Sequence, residues 1–499
     1  GGGAKWRRAA MARRERYFCT AGRGMEPFAA REVRARLGAT EVDYVSGKVF
    51  FTTRAELCDL RKLKSGERLF LLLKRRAPLH LPRNKGKALH EIKSLVTEEP
   101  RNWLDIISIW KNLCGHKEEK DHVSQENPLP LKRKPEEEVN IAAKRQKTDT
   151  ISEECQAGAE KSCLVTKSDQ DFGTESQTCR EEPSQSSEEK DVDNEKHTFS
   201  FRVSCRCSGA IAKILTSQEI GRAVGIALMK QFGWRADLRN PDLEIFVHLN
   251  DIQSVLGIPL FRIPLANREY IQTAGLRSTI AWAMASLAEI RAGAFVLDPM
   301  CGLGTILLEA AKEWPEACYW GTDISDSQLE GAYTNIRSAG LMDKIELLKA
   351  SVKALPLPSE SFDAVISDIP FGKKFKITKD VPYLPDLLQE MERVLRVGGN
   401  LVLLLGQDLR KDMDEVMKRV ASDGSPKAVS DGASETTTVK TSDVNGNSSS
   451  AVTDVEESFL SSRQMCFGSL VLDGVYGVSL GKTDAFIHKY KKISTAGNQ

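Results

Sequence analysis

The sequence predicts an α/β protein, with a doubly wound parallel sheet of seven strands in the C-terminal half and a smaller α+β region ahead of it. Three observations carry this. From Gly275 to Gln407, apolar strand-like runs alternate with segments of helical spacing, the order that a parallel sheet covered by helices requires. Within that stretch, LDPMCGLGTILLEA (297–310) passes from an apolar strand through an acid and a two-glycine turn into a helix. This is the layout of a ligand pocket at the carboxyl end of a parallel strand, so the unit is Rossmann-like. Two stretches, 116–197 and 422–457, are polar and poor in large apolar residues. They cannot bury enough surface to offset their ordering entropy and are expected to be disordered inserts.

The chain of 499 residues is too long for one core, so two or three domains are expected. Residues 1–15 form a basic tail. In 16–115, RYFCTAGRGMEPFAAREVRARLGATEVDYVSGKVFFTT reads strand, helix, strand, strand, with Phe28, Val33 and Leu37 on the inner side of the helix and a turn at Ser46-Gly47. RLFLLLKRR is the most apolar strand there. The insert at 116–197 carries two basic clusters, Lys132 to Lys134 and Lys144 to Lys147, which read either as solvated charge or as a nuclear-import signal. Order returns over 198–270. TFSFRVSCRCSG is a strand, Thr216 with Glu219 caps a helix, and DLEIFVHLNDIQSVLGIPL is two strands turning at Asn250-Asp251. The doubly wound unit occupies 271–490, and two strands after its insert are expected to close the sheet as an antiparallel hairpin.

The net charge of +2 is small, and its uneven local distribution matters more. Eleven cysteines are scattered without metal-ligand spacing, and Cys205 and Cys207 alternate on one strand. Reduced thiols in an intracellular, soluble protein are the expected reading, with no membrane span and no signal peptide.

The glycine turn excludes two familiar pockets. Leu307 stands where a dinucleotide fingerprint needs its third glycine, and no Gly-Lys-Ser/Thr opens the helix as in a P-loop. An acid followed by G-x-G suits an adenosine-containing cationic cofactor instead. Asp323 ends the next strand, 25 residues after Asp298, where a carboxylate accepts ribose hydroxyls. SDIPFG then brings Asp368, Pro370 and Phe371 to the same sheet edge. A nucleobase exocyclic amine is a poor nucleophile because its lone pair is delocalised into the ring. A carboxylate and a backbone carbonyl accepting its two N–H bonds turn that lone pair toward an electrophile, while an aromatic face holds the base.

From Ala294 onward the chain resembles the class I S-adenosylmethionine-dependent methyltransferases. DPMCGLGT is similar to their first motif and DIPF to the [N/D]-P-P-[Y/F] motif of the amino methyltransferases. GLRSTIAWAM and SDIPFGKKF narrow the resemblance to the THUMP-domain guanosine-N2 RNA methyltransferases. RYFCTAGRGMEPFAAREV and FRVSCRCSG through PLANREY resemble that family's ferredoxin-like and THUMP RNA-binding parts. The resemblance implies S-adenosyl-L-methionine as cofactor, with Asp298, Gly302, Gly304 and Thr305 around its methionine part and Asp323 on the ribose. Arg277 and Ser278 would close over the pocket. Asp368, Pro370 and Phe371 would hold guanine as the catalytic set, with no metal. Relatives place an Asp where this chain has Ser351, so the adenine amine would meet the Ser351 hydroxyl and the Val352 backbone.

The resemblance also implies a small zinc-binding activator subunit as heterodimer partner, a structured RNA substrate and a nuclear, nucleoplasmic location. Basic segments at Lys74 to Arg76 and at Lys373, Lys374 and Lys376 would meet phosphates. The implied reaction forms N2-methylguanosine in U6 spliceosomal small nuclear RNA. Transfer RNA as substrate and a non-catalytic RNA-binding adaptor are the alternatives, and DNA or protein amine methylation is disfavoured by the RNA-binding region.

Overall fold

A computed structural model describes residues 15–114, 199–369, 383–423, 466–481 and 483–494. The insert expected at 116–197 with its basic clusters, and the one at 422–457 beyond Asp423, lie outside the described residues. The chain gathers into two compact units, Gly1–Leu71 with Leu260–Gln499, and Leu72–Pro259.

The first unit opens with β1 (Glu15–Thr20), α1 (Glu26–Leu37), β2 (Thr40–Val45), β3 (Lys48–Thr53) and α2 (Leu57–Leu60), and β4 (Arg68–Arg76) runs from this unit into the other. The strand–helix–strand–strand order read from the sequence is the order that forms. β1 lies antiparallel between β3 and β4, and β2 is the outer strand.

In the second unit follow α3 (Lys85–Thr97), α4 (Pro100–Cys114), β5 (Ser200–Cys207), α5 (Ser217–Phe232), β6 (Arg235–Ala236), β7 (Leu243–Leu249) and β8 (Ser254–Pro259). β5 runs parallel to β7, and β7 and β8 form the expected antiparallel pair. The capping box of α5 is complete. The Thr216 hydroxyl accepts from the Glu219 N–H, and the Glu219 carboxylate accepts from the Thr216 N–H at 2.8 Å. Asn250 makes its turn by accepting from the N–H groups of Ile252 and Gln253.

The chain then returns to the first unit with α6 (Ser278–Leu287), β9 (Phe295–Asp298), α7 (Thr305–Glu313), β10 (Cys318–Asp323), α8 (Asp326–Ala339), β11 (Ile345–Lys349), β12 (Phe362–Asp368), α9 (Tyr383–Val394), β13 (Leu395–Gly406), α10 (Gln407–Asp423), β14 (Cys466–Phe467), β15 (Leu470–Ser479) and β16 (Asp484–Lys492). The sheet order is β11-β10-β9-β12-β13-β16-β15-β14. β9 to β13 are parallel, β16 is antiparallel to β13, and β15 returns antiparallel to β16 as the expected hairpin. The two-residue β14 extends the seven strands at one edge and is too short to leave a periodic signal. Alternation along each strand sorts the core. Val296, Ala364, Ile366, Val402 and Leu404 face α6 and α7, whereas Leu297, Val365, Leu401 and Leu403 face α9 and α10.

The N-terminal segment shares this core. Met25 and Phe28 are buried with Ile280 and Val478, and the Phe28 ring meets Tyr476 at 5.6 Å. Arg36 pairs with Glu313, and the Ser479 N–H donates to the Arg23 carbonyl. A cut at Arg268 would therefore strip apolar cover from α6 and should give an aggregating protein. The point where the chain leaves the unit adjoins the point where it returns, since the Leu260 N–H donates to the Leu69 carbonyl at 3.0 Å. Joining Leu71 to Leu260 through a short Gly/Ser linker should leave a cooperatively folding unit. Thermal melts of the two truncated forms, followed by circular dichroism, check this.

Candidate active site

Three carboxylates stand at the carboxyl ends of three neighbouring strands: Asp298 on β9, Asp323 on β10 and Asp368 on β12. The strand order reverses between β9 and β12, so the acids frame the topological switch point, where open α/β sheets bind ligands. Each acid is held differently. Asp298 is fully buried, and its Oδ1 accepts from the Met300 N–H and the Ser367 hydroxyl, both at 3.2 Å. Asp323 is half-buried and accepts from the N–H groups of Gly302 and Ser325 at 2.9 Å each. Asp368 is half-buried, and its Oδ1 is enclosed with no hydrogen-bond partner among the described residues.

Burial sets the electrostatics. It pushes the Asp298 carboxyl up to about 8, opposed by its two hydrogen bonds and reinforced by the charges of Asp368 and Asp323. Burial likewise raises Asp368 to about 7. Three acids with no cation paired to them among the described residues make a pocket that gains by taking up positive charge or hydrogen-bond donors.

The turn that faces these acids is fixed by backbone bonds. The Cys301 N–H donates to the Thr322 carbonyl, and the Thr322 hydroxyl donates to the Pro299 carbonyl, so residues 299–301 are tied to β10. Gly302 and Gly304 take left-handed conformations, φ +51° and +78°, and Gly304 caps α7. Thr305 opens that helix buried, its hydroxyl without a partner among the described residues.

Asn335 of α8 clamps the far side of the turn. Its side chain is fully buried and uses every hydrogen-bonding group. Oδ1 accepts from the N–H groups of Gln272 and Thr273, and Nδ2 donates to the carbonyls of Thr273 and Leu303. Residues 272–276 are thereby strapped to the glycine turn. The strap is tight at Gly275, where a Cβ would lie 3.0 Å from the Thr305 hydroxyl.

Arg277 precedes α6, and its described partner is Glu67, at 3.3 Å, rather than any of the three acids. Ser278 is buried at the first position of α6. Ser351 and Val352 follow β11, where the Ala350 N–H bonds to the Asp323 carbonyl. The Ser351 hydroxyl already accepts from the Lys353 N–H at 3.3 Å, leaving one lone pair for a ligand. Pro370 and Phe371, with Lys373, Lys374 and Lys376, lie outside the described residues. Sequence reasoning missed Ser367, Asn335 and Ile324. Ile324, directly after Asp323, is a large apolar side chain left 71% exposed at the strand tip. Only its place one residue past the acid could have flagged it.

Comparison with known proteins bears on this site. Residues 266–440 match the family described as RMKL-like, methyltransferase domain, and residues 184–258 match the THUMP domain. The chain is 55% identical over 490 residues to the U6 snRNA (guanine-N(2))-methyltransferase THUMPD2 of Bos taurus, with 96% of each chain covered. It is 28% identical over 409 residues to the human tRNA (guanine(6)-N(2))-methyltransferase THUMP3, covering 78% of this chain and 80% of that one. Among solved structures it is similar to TrmN from Thermus thermophilus, at 19% identity and a TM-score of 0.55, covering 96% of this chain and 99% of that one. This last likeness is one of fold.

Proposed function

The chain belongs to the THUMP-domain guanine-N2 RNA methyltransferases, and from that premise we propose how its own residues methylate the exocyclic N2 of a guanosine in U6 small nuclear RNA. The observation that carries the reading is the trio of acids at adjacent strand tips, with one enclosed oxygen of Asp368 lacking a partner among the described residues. An amine N–H entering the switch point would fill that vacant acceptor.

The cofactor is S-adenosyl-L-methionine, and the pocket's chemistry suits its cationic methionine part and its ribose. Asp298, Gly302, Gly304 and Thr305 would hold the methionine part, and Asp323 the ribose. Ile324, Ser351 and Val352 would wall the adenine, with Ser278 at the rim. Arg277 acts through Glu67, steadying the loop ahead of α6. When bound, the cofactor supplies an electrophilic methyl group on a sulfonium. Asp368 would accept one N–H of the guanine amine and turn its lone pair outward, Pro370 would offer a backbone carbonyl to the other and Phe371 a stacking face, and the proton that N2 loses on methylation would pass to Asp368 or to solvent. The tasks are positioning and charge placement, which together carry most of the acceleration in such transfers.

The Asn335 clamp makes a testable demand on this pocket. Asn335→Ala leaves four strap and turn groups unpaired, each costing about 1–3 kcal/mol when buried. S-adenosylmethionine affinity should fall about tenfold or more while RNA affinity stays near normal. Calorimetric titration with each ligand checks the split, and equal losses in both would show general unfolding instead.

The THUMP region would anchor structured RNA mainly through phosphates, which fix register without reading bases. The nucleus is the proposed location, because the similar bovine protein is named for a U6 snRNA substrate. A small zinc-binding activator subunit is the proposed partner, adding a strand at an exposed sheet edge. Its support is the Ser351 hydroxyl, half-committed to Lys353 where the family uses a carboxylate. Cofactor binding by the chain alone should be weak and should tighten with the subunit present. Equal, tight binding in both would end this dependence. For the function itself, nucleoside mass spectrometry of U6 RNA from cells lacking the protein should show N2-methylguanosine lost. Unchanged U6 with a loss in transfer RNA would move the substrate to the alternative.

A further inference from the structure

The first unit carries a surface groove whose lining includes none of the three acids. α1 buries Phe28 and Val33 in the core and turns Arg31, Arg34 and Ala35 outward. β2 is the outer strand of its sheet, and Tyr44 stands on it, 49% exposed. Between helix and strand lies a groove of about 480 Å³, lined by Pro27, Ala30, Arg31, Arg34, Ala35 and Tyr44.

We propose that this groove binds one unpaired nucleotide of the RNA substrate, its base against Tyr44 and its flanking phosphates on Arg31 and Arg34.

Three observations favour this occupant. The lining has two guanidinium groups and no acid; Glu41 and Asp43, on the same strand, do not line it. Glu41 is engaged with the Thr52 hydroxyl. Neither arginine makes an ion pair among the described residues. Arg31 lies 6.0 Å from the Phe28 ring centre, and Arg34 spends one N–H on the Val42 carbonyl, so most of their donors remain open. Such arginines beside an exposed aromatic face match how single strands are held, by phosphate contacts and sequence-tolerant stacking. The same helix, through Phe28 and with Met25 just ahead of it, is built into the core that the acid-bearing sheet shares. A nucleotide held here therefore has a fixed reach to Asp368, and the groove would help choose which guanosine arrives there.

The inference rests on RNA being the substrate. The test uses the full-length chain and a U6 transcript, with affinity measured at several salt concentrations. Arg31→Glu/Arg34→Glu should weaken binding by about tenfold or more at low salt. It should also flatten the salt slope by about 1.4, given about 0.7 per phosphate contact on a single strand. Tyr44→Ala should weaken binding by about tenfold with the slope unchanged, and Tyr44→Phe should restore it. The thermal midpoint by circular dichroism, measured as the control for folding, should not move in any variant. Wild-type affinity and slope in the charge-reversed protein overturn the proposal, even if the variant loses a protein partner instead. Equal losses in Tyr44→Phe and Tyr44→Ala also overturn it. Failure of the wild-type chain to bind the transcript at all would sink the RNA reading as well, which separates the two failures.

Discussion

Asp368→Asn should lower methyl transfer by roughly two or more orders of magnitude, the scale of losing one key preorganised electrostatic contact. The amide is nearly isosteric, so fold, cofactor affinity and RNA affinity should stay close to normal. What is lost is the negative acceptor for the amine N–H. The pH dependence gives the same residue a second test. A protonated Asp368 cannot serve as a carboxylate acceptor, and burial has raised it to about 7. Turnover by the wild-type protein should therefore climb as pH rises through about 7, and Asp368→Asn should lose that limb.

Asp298, raised to about 8, adds a binding effect, because its ionised form favours a cationic ligand. Cofactor binding should tighten toward pH 8 and release protons at neutral pH. For the protein alone the sign is opposite. The folded state keeps protons that an unfolded chain, with aspartates near 3.8, has released, so their contribution to stability is full below about pH 4, falls as pH rises toward about 7 for Asp368 and about 8 for Asp298, and levels off above. A purified Asp368→Asn protein turning over within threefold of wild type would remove the residue from the site.

Arg268→Met should cost about 3–5 kcal/mol of stability, because it leaves a buried carboxylate without its cation. The Arg268 and Glu309 side chains are 3% and 0% exposed and pair at 2.9 Å. Arg268 also donates to the carbonyls of Leu265 and Lys64, and Tyr270 donates its hydroxyl to Glu309 at 2.6 Å. One guanidinium thus joins the N-terminal segment, the re-entry of the chain at Leu260, and α7 behind the glycine turn. Removing both charges with Arg268→Met/Glu309→Met should recover most of the loss, since well-packed apolar replacements of buried ion pairs are often neutral. Urea unfolding of the single and double variants decides. A double variant no more stable than the single would mean that packing, and not the unpaired charge, sets the cost.

The parts of the site legible in the sequence are those that lie within one strand and the turn after it. Asp298, Gly302 and Gly304 form one contiguous signal, Asp323 sits at the expected offset, and Asp368 ends its own apolar run. The alternation of strands and helices similarly fixed the parallel sheet and its closing hairpin. What was not legible depends on pairs distant in the chain. Ser367 supports Asp298 from 69 residues away, across neighbouring strands. Asn335 reads as an ordinary helix residue until Gln272, Thr273 and Leu303 are brought around it. The sharing of the parallel sheet's core by Ala21, Met25 and Phe28 is of the same kind, because nothing in the α1 pattern says what its apolar face will meet. The Arg268–Glu309 pair, separated by 41 residues, completes that set.

The most direct test of the central claim supplies S-adenosylmethionine carrying an isotopically labelled methyl group to the full-length protein, with the activator subunit and a U6 transcript. The RNA is then digested to nucleosides for mass spectrometry. The expected result is label in N2-methylguanosine alone, abolished by Asp368→Asn. Label on a ring nitrogen or on adenosine, or undiminished N2 label in the Asp368→Asn protein, would contradict the assignment of Asp368 as the acceptor that presents guanine N2.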